Sequence, residues 1–478
     1  MGASVSSWRL ARAVSHTGNL GVVSGTALDA VLARRLQLGD LCGSMRRALE
    51  ALPIPGSCER ILERYFVPGG KAEDEPFRPT PMPSPTPSRG ALELTVAANF
   101  VEVFLAREGH DGPVGINYLE KIQLPTLPAL HGALLAGVSC VVMGAGIPRA
   151  IPGAMASLAE GRRAELAITV DGAPPTSSGR LTMAYDPAEL FEGSAPTTAL
   201  PAFLPIVSSV PLASMLKRKA SGPVDGFVIE APTAGGHNAP PRGAVEYDDE
   251  GQPVYGERDE VDLAAMAALG MPFWLAGGQG GPGRLEEARA RGAHGIQVGT
   301  AFAYCEESGM DVDLRRSILA GVREGRSAVR TDPKASPTGF PFKVLPHPGS
   351  MGASQEPQEL SREVICDLGY LRQAHRRTDG KIVWRCPAEP AKSWLAKGGD
   401  PAEVEGRKCV CNGLMATAGS PQVRKDGRVE EPLVTSGDAL AELSRLLPEG
   451  GGDYTAADVI AYLLQPAPAP ASAGSVPA

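Results

Sequence analysis

The 478-residue chain has no surplus of positive charge: 46 Lys+Arg stand against 54 Asp+Glu, a formal net charge of −8. A general nucleic-acid binder replaces phosphate counterions with Lys and Arg, and no basic tract with interleaved aromatics makes up the deficit. Long hydrophobic runs are missing too. The most apolar stretch, 133–147, is broken by glycines and falls short of the roughly 20 residues a membrane span requires. Cysteine is sparse, eight in all, with no hydrophobic signal segment ahead of it. That pattern fits a reducing, cytoplasmic setting better than a disulfide scaffold. No GxSxG, no Walker loop and no histidine–carboxylate metal cluster is present.

Glycine and proline, by contrast, are plentiful at 57 and 44. The excess stays below the level at which disorder becomes the default, and points to many turns on a large folded unit plus proline-rich connections. At the N-terminus, residues 1–6 formally match a myristoylation pattern, and the first 28 residues carry arginines but no acid, as a transit peptide would. The competing reading is a helix over 8–16 with Trp8, Leu10, Ala11 and Val14 on one face.

A unit recurs along the chain: a short β-branched run, a Gly- or Pro-marked loop, then an amphipathic helix. Strands are expected at 20–24, 114–118, 139–143, 203–208, 225–230, 272–276 and 295–298. Helices are expected at 27–38, 127–136, 151–160, 212–219, 261–269, 285–291 and 313–322. Such alternation predicts an α/β fold with a parallel sheet, a (β/α)8 TIM barrel with insertions. Seven strands are one too few for closure, and the first is the one missing, because the chain opens directly on a loop and helix. Either Met1 is an internal methionine taken as the start, or the barrel closes in another way.

The expected organisation is a barrel over 1–325, interrupted by a Pro-rich linker at 75–90 and a hairpin at 166–184. An irregular Cys-containing segment follows over 326–430. Short helices then occupy 431–465, and 466–478 reads as a disordered tail.

In such a barrel the loops after the strands carry the chemistry. Ala276-Gly277-Gly278-Gln279-Gly280-Gly281 and Gly299-Thr300 follow successive strands, and glycines there let backbone N–H groups reach an anion such as phosphate; tight turns alone would also explain them. Gly144-Ala145-Gly146-Ile147-Pro148 lies at the same end. Asn117 is polar in an apolar strand, either a ligand contact or a turn cap. The sharpest feature is Glu230-Ala231-Pro232-Thr233-Ala234-Gly235-Gly236-His237-Asn238, which places an imidazole on a glycine loop where it can act as base, acid or hydrogen-bond donor. A structural histidine is the alternative. Cys366, Cys386, Cys409 and Cys411 fall in the irregular segment; Cys409-Val410-Cys411 is close enough to chelate a metal, but neither half has a CxxC knuckle, so the four read as free or buried thiols and no metal is expected, metal binding being the alternative.

Together, Gly235-Gly236-His237, Ala276-Gly277-Gly278 and Gly295-Ile296-Gln297-Val298-Gly299-Thr300-Ala301-Phe302 resemble the nitronate monooxygenase (2-nitropropane dioxygenase) family, itself similar to flavin-dependent enoyl reductases. The resemblance runs over about 8–325 and implies an FMN-containing TIM barrel. It implies that Gly277, Gly278, Gly299 and Thr300 hold the FMN phosphate, that Asn117 and Gln297 lie near the isoalloxazine or ribityl chain, that Gly235 and Gly236 also bind the cofactor, and that His237 faces the substrate above the flavin. It also implies a first strand ending in a Gly-Met-Gly-like segment, with Met1-Gly2 at that end. The usual Glu-Ala-Gly-Gly-His is altered here, Thr233 standing for the glutamate. The linker, hairpin and C-terminal segment look more like the flavoproteins that accompany polyunsaturated fatty acid and polyketide synthases.

The implied reaction is oxidation of an alkyl nitronate by O2 to a carbonyl compound and nitrite. The alternatives are a NAD(P)H-dependent reduction of an enoyl thioester, or a non-catalytic FMN-binding assembly subunit. The expected partner is a small-molecule substrate, with no nucleic acid or membrane, and either a homo-oligomer or a synthase partner is compatible with the chain.

Overall fold

The computed structural model describes residues 3–172, 181–191, 193–353, 365–448 and 452–467. Met1-Gly2, the tip of the expected hairpin and residues 468–478 of the expected tail lie outside the described residues. Seven strands form one parallel sheet in sequence order: β1 Gly21–Ser24, β2 Val114–Leu119, β3 Cys140–Gly144, β4 Ala202–Val207, β5 Phe227–Glu230, β6 Phe273–Ala276 and β7 Gly295–Gln297. Each expected strand is present to within two residues, and an α-helix lies between most successive strands. This is a TIM-barrel-like arrangement with β1 and β7 as its edges. Where the edges face the gap, the Val5 carbonyl accepts from Gly309 N–H at 2.8 Å and the Ser6 carbonyl accepts from Ser24 N–H at 2.9 Å.

The two faces of the sheet differ because side chains alternate along each strand. On the outer face Val23, Ile116, Val141, Met143 and Phe203 pack with helices Leu28–Gln37, Arg89–Arg107, Thr126–Leu135 and Ile151–Ala159. Phe227, Ile229, Phe273 and Leu275 pack likewise with Leu216, Met266 and Ala288. On the inner face Cys140, Val142, Leu204, Val228 and Ala276 form a separate apolar layer.

Helix Arg89–Arg107 is the longest element, and its side chains from Leu92 to Val103 are all buried. Two carboxylates inside it are neutralised: Glu93 by Arg60 at 2.7 Å and by Arg89 of its own first turn at 2.9 Å, and Glu102 by Arg35 at 2.7 Å. Glu102 also accepts the Trp8 N–H at 2.9 Å, which ties the helix Trp8–Ser15 to the sheet's outer layer. The preceding Pro-rich stretch, 71–88, carries neither helix nor strand and is pinned: Gln422 accepts the Phe77 N–H and Gln37 accepts the Arg78 N–H.

Beyond residue 325 the chain holds more regular structure than its composition suggests. Arg330–Asp332 pairs antiparallel with Phe342–Val344, and Gln373–Arg376 with Ile382–Arg385. Helix Ala456–Leu463 joins Leu10, Val14, Tyr304 and Ile318 in a fourth apolar cluster. Among the described residues no helix is long and apolar enough to cross a membrane.

The outer layer also contains a pH-sensitive group. His131 is fully buried, its Nδ1 is 2.7 Å from the Tyr185 hydroxyl, and Nε2 has no partner. Burial lowers its pKa to about 4. A depressed folded value means that the stabilisation is complete above the unfolded value near 6.5 and is lost as pH falls towards 4. His131→Phe is therefore expected to remove about 2 kcal/mol of the difference in unfolding free energy between pH 7 and pH 4.5. Denaturant titrations of both proteins at the two pH values check this; equal differences would show that His131 does not contribute.

Candidate functional site

The C-terminal strand ends bring four polar side chains to one rim of the inner face. Strand register aligns Ser24 with Asn117, Asn117 with Val142, Glu230 with Ala276, and Ala276 with Gln297. Ser24, Asn117, Glu230 and Gln297 therefore share the face of the inner apolar layer. Ser24 Oγ is fully buried without a hydrogen-bond partner. The half-buried side chains of Asn117, Glu230 and Gln297 make no hydrogen bond to other described residues. Buried polar groups are normally satisfied, so this rim has unmet capacity for a polar ligand. Burial raises the Glu230 carboxyl to about 7, so near neutrality it can donate as well as accept.

The glycine turns surround this rim. Gly277 and Gly278 follow β6 with φ of +88° and +67°, conformations open to glycine at little cost. A Cβ on Gly277 would come within 2.9 Å of Thr233 Oγ1, so the turn lies directly against the loop after β5. Gly299 follows β7, and nothing stands within 4 Å of where its Cβ would be. The Thr300 hydroxyl accepts the Gly437 N–H at 3.0 Å, leaving its own proton to donate. In the loop after β3, Gly146 lies under Glu120, whose carboxyl is raised by burial.

His237 sits among groups from distant parts of the chain. Its Nε2 is 2.7 Å from Ser336 Oγ, which in turn is 2.8 Å from Thr338 Oγ1. The ring tilts over Phe342 at 4.7 Å between centroids. Burial, reinforced by the Lys121 charge, lowers its pKa to about 4. The imidazole is thus neutral at physiological pH, a weak base, and with Nε2 engaged it presents Nδ1 as its remaining polar atom.

The segment beyond residue 325 forms the wall behind this loop. Lys343 N–H donates to the Gly236 carbonyl and Asn238 N–H to the Pro341 carbonyl, both at 2.9 Å. Gly236 N–H donates to Thr435 Oγ1, also at 2.9 Å, and Asp438 N–H to the Thr233 carbonyl at 3.1 Å. The buried Lys343 ammonium holds both Asp438 oxygens, at 2.6 and 2.8 Å.

The residues expected at the site therefore fall into two groups at the C-terminal end of the sheet: Asn117 and Gln297 on the inner rim, and Gly235, Gly236, His237, Gly277, Gly278, Gly299 and Thr300 on the loops that follow its strands. Sequence reading missed Ser24, Glu230 as a rim residue, Lys121, Ser336 and Gly437. Glu230 carries a local signal, since alternation with the inward Val228 puts it on the inner face. Ser336 and Gly437 carry none, being 99 and 137 residues from their partners.

Residues 191–324 match the family model described as nitronate monooxygenase. No curated protein matches the chain. Among solved structures, FabK from Thermotoga maritima is 16% identical, with 96% of this chain and 88% of that chain covered and a TM-score of 0.44. Nitroalkane oxidase from Streptomyces ansochromogenes is 13% identical, with coverage of 97% and 92% and a TM-score of 0.42. The enoyl reductase domain of MlnA from the macrolactin biosynthesis cluster of Bacillus amyloliquefaciens is 12% identical, with coverage of 65% and 62% and a TM-score of 0.28. At these scores the likenesses fix neither substrate nor mechanism. The matched span, 191–324, carries the His237 loop and both glycine turns, and it is there that the chain is similar to the nitronate monooxygenase family.

Proposed function

We propose that the chain is an FMN-dependent oxidoreductase that oxidises alkyl nitronates with O2 to a carbonyl compound and nitrite. The observation that carries the reading is the match over 191–324, because that span contains His237 and the glycine turns at the strand ends. The residues present suit a flavin. Ser24, Asn117, Glu230 and Gln297 offer unsatisfied donors and acceptors above an apolar layer, and Gly236 and Gly299 leave open space where a side chain would stand.

In this reading Gly277, Gly278, Gly299 and Thr300 hold the phosphate, while Asn117 and Gln297 contact the ring system or ribityl chain. The flavin supplies the electron-accepting chemistry. The chain's own task is to orient the nitronate: His237, neutral and fixed by Ser336, directs Nδ1–H at a nitro oxygen and so steadies negative charge. A pKa near 4 makes His237 a poor acceptor of a proton from a neutral nitroalkane, so the nitronate is the preferred substrate.

A second reading, reduction of an enoyl thioester with NAD(P)H as donor, draws support from the wall that Ser336–Val344 and Thr435–Asp438 build over the His237 loop, which gives the site a bounded face for a larger substrate. A non-catalytic FMN-binding subunit is the third. The absorbance spectrum and flavin content of the purified protein test all three. The expected result is an oxidised-flavin spectrum with about one FMN per chain; a colourless protein that stays colourless after incubation with FMN would sink every version.

A further inference from the structure

The four C-terminal cysteines come together although no local spacing announces it. Cys366 lies in the loop before Asp367, Cys386 directly follows the strand Ile382–Arg385, and Cys409 and Cys411 flank the first residue of helix Val410–Thr417. All four line a single cavity of about 10 Å³, with Arg372 and Pro337 also on its wall. A space of that size takes one atom-sized occupant and excludes a multinuclear cluster.

Hydrogen-bond donors and positive charge stand beside the sulfurs. Backbone N–H groups of Ala388, Asn412 and Leu371 face the sulfurs of Cys386, Cys409 and Cys411. Asn412 Nδ2 stands 3.8 Å from Cys409 Sγ and is itself held by Asp367 at 2.7 Å. Arg372 and Lys397 place positive charge near Cys366. Donors and cations around sulfur are what an outer shell of a metal–thiolate centre provides. A divalent cation offsets the mutual repulsion of four thiolates brought together around it.

We propose that Cys366, Cys386, Cys409 and Cys411 bind one zinc ion as a structural centre with four thiolate ligands. Among the described residues no three His, Cys, Asp or Glu side chains are drawn up closely enough to hold an ion, so ligation pulls the sulfurs inwards onto the cavity. Each thiol gives up its proton to solvent on binding, with no change in oxidation state, and Arg372 and Lys397 offset the negative charge of the resulting centre. The ion staples three segments that share little regular structure. It also anchors Pro337, whose neighbour Ser336 holds His237.

The test is elemental analysis of the full-length protein, purified without chelator, and is independent of what the flavin site turns over. The expected result is about one zinc per chain, released when a mercurial titrates the thiols, and a cobalt-loaded protein with intense sulfur-to-cobalt charge-transfer bands. Cys386→Ser and Cys409→Ser should each lower the zinc content. Because those variants can also fail to fold, the wild-type measurement decides: less than about a tenth of an equivalent of zinc, with these four thiols reacting freely or paired as disulfides, overturns the proposal.

Discussion

Replacing His237 by alanine is expected to lower kcat/KM for an alkyl nitronate roughly 10- to 100-fold, the loss of one hydrogen bond to a charged oxygen. The direction follows from the environment of the ring. Its Nε2 is engaged with Ser336, Phe342 covers one side, and burial keeps it uncharged down to about pH 4. An imidazole exposed to water would lose its neutral form near pH 6.5. The acidic limb of the wild-type kcat/KM profile is therefore expected near pH 4, with a plateau through neutrality. Steady-state rates on a pre-formed nitronate check both points. Unchanged kcat/KM in the variant would remove His237 from the chemistry, and a limb near 6.5 would show that the ring is solvated in the working enzyme.

The second large effect is expected at a residue far from the family match. Gly437→Val places a Cβ about 2.8 Å from Thr300 Oγ1, 2.9 Å from the Thr233 carbonyl and 3.2 Å from the Gly235 nitrogen. Two of those neighbours are backbone, so the clash cannot be relieved by turning one flexible side chain. Overpacking of this kind costs about 1–3 kcal/mol. Relief requires the Thr435–Asp438 segment to withdraw from the loops after β5 and β7, so FMN affinity should fall by more than about tenfold. Gly256→Ala serves as the control, because nothing lies within 4 Å of that position and its φ is not left-handed. Fluorescence titration with FMN and denaturant unfolding measure the two consequences. Equal FMN affinity in the Gly437 variant would mean that the C-terminal wall plays no part in forming the site.

The barrel strands were legible because each is a short β-branched run bounded by turn residues, and because an outward residue such as Phe227 alternates with an inward one such as Val228. Helix Arg89–Arg107 escaped the same reading for a physical reason. It is buried on nearly every side, so it lacks the polar face that gives helical periodicity, and each of its internal carboxylates has an arginine partner from another part of the chain, Arg60 for Glu93 and Arg35 for Glu102. At the site, glycine turns and His237 announce themselves locally. Ser336, Lys343 and Gly437 do not, because their roles arise only when the chain beyond residue 325 folds back on the β5 loop. The four cysteines illustrate the same limit: Cys409-Val410-Cys411 is spaced to chelate, but its sequence does not show that Cys366 and Cys386 arrive beside it from two other segments.

Anaerobic mixing of the flavin-loaded protein with an alkyl nitronate, and separately with NADPH, tests the central claim most directly. Rapid loss of the oxidised-flavin absorbance is expected with the nitronate, with recovery and nitrite release when O2 is admitted, and no comparable bleaching by NADPH. Rapid bleaching by NADPH with none by the nitronate would contradict that claim and place the enoyl-thioester reduction first.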